Sequence, residues 1–199
     1  HGRVDAHGDP RHHFLPDRSG AHDERSRLRG GEGVSPRYTV GVDIGGTKTD
    51  AVAIDEFGEI AAQVRIRSGI GPEALLASTV EALDALAERS GVATADFASI
   101  GIGIPGTVVD GRVSHALNLA IDGLDLGAEL NARLGRSVSI DNDVNAAAMG
   151  AFHLLDNDPT HSMAFLNLGT GLAAGLVLGG ALWRGAHGAA GEIGHIPLD

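Results

Sequence analysis

The sequence predicts a mixed α/β fold, and three observations carry that reading. Two units of strand, glycine turn and strand stand about 120 residues apart, one at 38–55 and one at 162–180. Between them, Leu75, Leu76, Val80, Leu83 and Leu86 recur at three- and four-residue spacing, the period of an amphipathic helix. A strand at 137–141 then runs straight into an alanine-rich helical stretch, 142–155. One chain that alternates between these two periods asks for a sheet with helices packed on it.

The first unit, YTVGVDIGGTKTDAVAID (38–55), organises the rest. An apolar run ends in an acid at Asp43, and Gly45, Gly46, Thr47 and Thr49 follow before a second apolar run. Glycines in such a turn let backbone N–H groups approach an anion without Cβ interference, and the hydroxyls and Lys48 add donors. An acid at the end of the first strand can hold a hydrated cation against that anion. The stretch reads as a phosphate cradle, although an ordinary hairpin fits the same letters. It matches neither GxGxxG nor GxxxxGK[ST], because no helix follows the turn. Lys48 alternates with two threonines, so it either joins the anion or points away into solvent.

Further along, 59–67 supplies a third strand after a turn at Glu56, Phe57 and Gly58, giving an antiparallel meander. Gly71 and Pro72 open the first helix, which should pack on this sheet, and Gly91 closes it. ASIGIGIPG (98–106) is a short buried strand, and Asp110-Gly111 turns TVV back into RVS. A loop with Asn118 leads to a second helix near Leu126 to Leu134. Asn142 and Asp143 fall where a strand hands over to a helix N-terminus, a place that presents polar groups to ligands. After a turn at 156–160, the strands of 162–183 repeat the opening plan around Gly169, Thr170 and Gly171. The remainder, AHGAAGEIGHIPLD, reads as a glycine-rich loop.

Composition narrows the function classes. Residues 1–37 carry seven basic and six acidic side chains, a net of +1, whereas 38–199 carry eight against twenty, a net of −12. A body this acidic repels nucleic acid, which leaves a small molecule as the expected partner. The first 37 residues, polar and with five histidines at irregular spacing, are expected to be a disordered tail. No apolar run reaches eighteen residues and no secretory leader is legible, so no membrane is expected and the cytoplasm is the default. There is no cysteine, hence no disulfide and no self-contained cysteine zinc site.

Two phosphate-cradling hairpins with a strand-end acid between them is the plan of actin-like ATPases and sugar kinases. DIGGTKT (43–49), GIPG (103–106), DNDVNAAAMGA (141–151), LGTGLAAG (168–175) and GAHGAAGEIGH (185–195) resemble, in order and spacing, the ROK family of bacterial sugar kinases, open reading frames and repressors. The resemblance covers 38–199. It implies the actin-like, RNase H-like fold: a complete first lobe over 38–141 and, from 142, a linking helix and an incomplete second lobe. It also implies MgATP and a hexose in a cleft, glucose or an N-acylated hexosamine, with phosphoryl transfer to the primary hydroxyl. Asp143 would be the general base and Asn142 would bind sugar hydroxyls. Glu192 and His195 would contact ring hydroxyls near the anomeric carbon, with Gly106 and Asn118 as further sugar-side residues. Gly45, Gly46, Thr47 and Lys48 would face the phosphates from one side and Gly169, Thr170 and Gly171 from the other, while Asp43 would orient the magnesium shell.

The chemistry of these residue types agrees. Phosphoryl transfer needs positioning and charge neutralisation, plus a carboxylate within reach of the attacking hydroxyl. Asp143 also suits capping of the helix it begins, and the two roles coexist. Glu192 and His195 also read as ordinary loop residues.

The chain departs from the family after His195. Relatives continue into a cysteine-rich loop that joins the histidine in holding structural zinc, and one histidine is not a zinc site. Ala173 and Ala174 stand where relatives often have glycine. The expected consequences are an uncovered apolar face on the strands of 162–183 and an isolated polypeptide with almost no kinase activity. A parent protein is expected to be a homo-oligomer. The rival readings are a sugar-sensing ROK repressor without its DNA-binding domain and a non-catalytic remnant.

Overall fold

The computed structural model describes residues 37–155, 158–169, 171–186 and 188–195. The expected tail, apart from Arg37, lies outside these residues, as do Thr170 and the last four positions. The described residues fall within one compact unit, Pro36–Asp199.

Strand alternation builds the central sheet. In β1 (Thr39–Ile44), Val40, Val42 and Ile44 are buried on one face, leaving Thr39, Gly41 and Asp43 for the other. β2 (Lys48–Ile54) and β3 (Ile60–Arg67) continue the expected antiparallel meander. β4 (Ser99–Ile104) then adds to the other side of β1, parallel to it, and β8 (Ser139–Asn142) lies parallel beyond β4. The resulting order is β3-β2-β1-β4-β8.

Helix α1 (Pro72–Ser90) packs against β2 and β3 with Leu75, Leu83 and Leu86 fully buried. Truncating any of the three to alanine costs about 2–5 kcal/mol. Gly91 ends the helix in the left-handed conformation, its N–H donating to the Ala87 carbonyl. Helix α2 (Leu126–Leu134) matches its expected bounds and is capped by Asp125, whose carboxylate accepts from the Ala128 N–H at 3.0 Å.

A small antiparallel sheet joins β5 (Thr107–Val109), β6 (Arg112–Ser114) and β7 (Leu124–Asp125). The segment read as a simple loop thus contains a two-residue strand, and it also contains a 3-10 turn at Leu117–Leu119. So short a strand leaves no periodicity in the sequence, and its pairing with Arg112 and Val113 creates it.

A third sheet, also antiparallel, contains β9 (Met163–Leu168), β10 (Leu172–Leu178) and β11 (Ala181–Leu182). Helix α3 (Asp143–Leu155) joins it to the central sheet through two glycines. A Cβ on Gly103 of β4 would lie 3.2 Å from the Asp143 Cα, and one on Gly175 of β10 would collide with the Ala148 Cβ. Only glycine lets the helix approach both sheets this closely. On the face of the third sheet turned away from α3, Leu166, Leu168 and Leu172 are exposed. The segment read as a closing loop contains a 3-10 turn, Ile193–His195, and lies on β10, where the Ala174 N–H donates to the Gly191 carbonyl at 2.7 Å. Among the described residues, no helix is long and apolar enough to cross a membrane.

Candidate active site

The glycine turn between β1 and β2 is braced from below. The Gly45 N–H donates to the Lys48 carbonyl at 2.9 Å, and the Gly45 carbonyl accepts from the Ser68 hydroxyl at 2.7 Å. Ser68 also meets the Thr49 hydroxyl at 2.9 Å, and both side chains are buried. Thr49 is therefore not a donor offered to an anion, contrary to the sequence reading. Alternation in β2 turns Thr49 inward and leaves Lys48 exposed and Asp50 half-buried on the opposite face. Thr47 and Lys48 remain exposed at the turn. Asn118, from the 3-10 turn after β6, lies beside it: a Cβ on Gly46 would sit 3.4 Å from the Asn118 Cβ.

Sheet register lines up a row of acids. Asp50 pairs with Asp43, Asp43 with Gly103, and Gly103 with Asp141, so these positions share one face. At the end of the row, Asp50 forms an ion pair with its own cross-strand neighbour, Arg65. Asp43 keeps contact with solvent, yet desolvation by the walls around it lifts its pKa above the ordinary carboxylate value. The negative charges of Asp143 and Asp50 act in the same direction, and Lys48 opposes them. Lys48 itself is exposed and lies outside the lining of the cleft described below.

Asn142 and Asp143 share the junction of β8 and α3. The Asn142 side-chain oxygen accepts from the N–H groups of Val144 at 2.9 Å and Asn145 at 3.1 Å, so Asn142 provides the main cap of α3. Its amide nitrogen donates to the Gly106 carbonyl at 2.9 Å, tying down a residue whose φ of 102° and tight surroundings demand glycine. Asp143, also bonded to the Val144 N–H, is half-buried, and burial raises its pKa while that N–H and its own pull the other way. Asp141 accepts from the Asn142 N–H at 2.8 Å and the Asn145 side chain at 3.3 Å, and it forms an ion pair with Arg184.

These groups open into a cleft of about 760 Å³, with Asp43, Asp141 and Asp143 on one wall and Phe165, Asn167 and Arg184 on the other. Of the other expected residues, Gly45, Gly46, Thr47, Lys48, Gly106, Asn118, Asn142, Gly169, Gly171 and Glu192 stand outside its lining. The Gly169 N–H donates to the Gly171 carbonyl at 2.9 Å. Glu192 is half-buried in the loop before the last 3-10 turn. Thr170 and the His195 side chain lie outside the described residues. Among the described residues, no three or more acids or histidines are arranged to hold a metal ion. A second concavity of about 700 Å³, on the outer side of α1 near Glu81 and Arg133, contains none of the expected residues.

Sequence reasoning missed Asp50, Ser68 and Arg184. The hairpin register could have placed Asp50 beside Asp43, because both lie two residues outside the turn's closing pair. Nothing local marks Ser68 or Arg184.

The ROK family model matches residues 39–199. A glucokinase of Streptomyces coelicolor is 36% identical over 162 residues, covering 80% of this chain and 50% of that protein. A putative xylose repressor of Caldicellulosiruptor is 32% identical over 164 residues, covering 80% of this chain and 41% of that protein. Among solved structures, the ROK family glucokinase of Streptomyces griseus, in complex with glucose and AMPPNP, superposes with a TM-score of 0.70 at 34% identity. That match covers 81% of this chain and 51% of the other. The chain thus spans about half the length of the relatives it matches, and the fold is the actin-like one they share. With the glycine turn, the Asn142–Asp143 junction and the loop of Glu192 all inside the matched region, the chain belongs to the ROK family.

Proposed function

We propose that this chain carries the general base and the phosphate-facing turns of an ATP-dependent hexose kinase. One observation carries the reading: Asp143, at the start of α3, shares a cleft with Asp43, which ends the strand leading into the glycine turn.

Each residue has a chemical task in this reading. Asp143 accepts the proton of the sugar's primary hydroxyl as that oxygen attacks phosphorus. Its pKa, raised by burial, makes it a better proton acceptor than an ordinary aspartate. Asn142 has committed its oxygen to α3 and one hydrogen to Gly106, so its remaining hydrogen is the one for a sugar hydroxyl. Glu192, His195, Gly106 and Asn118 complete the sugar side. Gly45, Gly46, Thr47 and Lys48 face the phosphates, with Gly169, Thr170 and Gly171 opposite.

The donor set fits magnesium. Asp43 offers a carboxylate oxygen, and two neighbouring carboxylates leave the site short of positive charge. MgATP, when bound, supplies the phosphoryl group and that charge. The residues present do not fit structural zinc, because the sequence has no cysteine to join His195.

Because the chain spans about half the length of its relatives, ligand binding is the test. Glucose, N-acetylglucosamine or N-acetylmannosamine at a hundred times its dissociation constant should stabilise the chain by about 2.7 kcal/mol. Asp143→Ala should abolish that shift in thermal melts. A folded chain unmoved by all three sugars would overturn the proposal. The repressor reading draws support from the match to the xylose repressor over the same region. It predicts a response to sugar that MgAMPPNP does not enhance, whereas the kinase reading predicts that each ligand tightens the other.

A further inference from the structure

The guanidinium of Arg184 crosses the cleft. Arg184 follows β11 of the third sheet, and its ion-pair partner Asp141 sits on β8 of the central sheet, 43 residues away in sequence. It is the only cation among the described residues lining this cleft. Arg184 is held at both ends. Its carbonyl accepts from the Ala190 N–H at 3.1 Å, closing the loop that leads to Glu192, while its side chain reaches Asp141. Asp141 is equally committed, since it also bonds the Asn142 N–H and the side chain of the buried Asn145 in the first turn of α3. One carboxylate therefore links the end of β8, the helix that begins with Asp143, and the loop that carries Glu192.

We infer that Arg184 is a positioning residue: acting through Asp141, it holds the Glu192 loop in fixed relation to the first turn of α3 and so to Asp143. The inference deepens the sugar-site reading, on which its consequence for binding rests. Arg184 need not touch the ligand. The pair is half-exposed on the arginine side, so its loss should change global stability little and local geometry more. Lysine can keep the charge but not the planar fork that serves a carboxylate.

The test compares Arg184→Ala, Arg184→Lys, Asp141→Asn and the double variant Arg184→Ala/Asp141→Asn in the full 199-residue chain. Amide exchange is read at Ala190 and Glu192 in the loop and at Val144 and Asn145 in α3. Arg184→Ala should speed exchange at both places by about tenfold with little change in the urea midpoint. Asp141→Asn should speed the loop amides as well, though it lies in the other sheet, and the double variant should be no worse than the more severe single one. Arg184→Lys should recover part of the protection. Glucose titration followed by the fluorescence of Trp183, the single tryptophan, should show affinity falling about tenfold in Arg184→Ala. If Arg184→Ala quickens only the loop, or if the two single effects add, the linkage is refuted. If wild-type chain ignores every sugar while the exchange pattern holds, the sugar reading fails and the linkage stands.

Discussion

Gly103 and Asp143 meet with no side chain between them: a Cβ on Gly103 would come within 3.2 Å of the Asp143 Cα. The strand that pairs with Asp43 therefore also supports the backbone of the candidate base. Alanine at this position must displace α3 by a few tenths of an ångström, and valine by more. Gly103→Val should cost about 1–3 kcal/mol through overpacking, read as a lower urea midpoint, and should weaken glucose binding beyond that of Gly103→Ala. Equal sugar affinity in both variants would show that the contact does not position the site.

Asn142 serves the helix as well as the ligand. Asn142→Ala should lose about 1–2 kcal/mol of stability with the cap. Asn142→Asp keeps a capping oxygen for Val144 and Asn145 but gives up the donor to the Gly106 carbonyl. It should therefore keep most of the stability in urea titrations while amide exchange around Gly106 quickens.

The burial of Asp143 predicts an unusual pH dependence. Burial raises the Asp143 pKa in the folded state, so the folded chain holds that proton more tightly than the unfolded one. The ionised group thus costs stability at neutral pH. That cost fades as pH falls through the folded pKa and is gone below the unfolded value of 3.8. Asp143→Asn should melt higher than wild type at pH 7, with the advantage closing on acidification. No difference at pH 7 would contradict the burial.

Ser68 tests the brace beneath the glycine turn. Ser68→Ala removes the donor to Gly45 and strands the buried Thr49 hydroxyl, an expected loss of about 1–3 kcal/mol. Adding Thr49→Val should restore part of it, because two apolar groups replace a broken pair. A double variant as unstable as the sum of the singles would show that the hydroxyls act independently.

Much of this molecule is local and was readable from its letters. The alternation of Val40, Val42 and Ile44, the helical spacing from Leu75 to Leu86 and the glycines at 58, 91 and 111 are properties of neighbours in sequence. Secondary structure follows from them through periodicity and backbone freedom. The family motifs were equally legible, because each occupies one continuous stretch. What tertiary structure decided is which side chains meet. Thr49 faces Ser68 rather than a ligand because of strand alternation and the packing behind it. Asp50, Asp43, Gly103 and Asp141 stand in one row only because four strands pair in one register. Arg184 finds Asp141 because Gly103 and Gly175 let α3 pack closely on both sheets. Contacts of this kind depend on register and helix packing, which the whole core settles at once, so no window of sequence contains them.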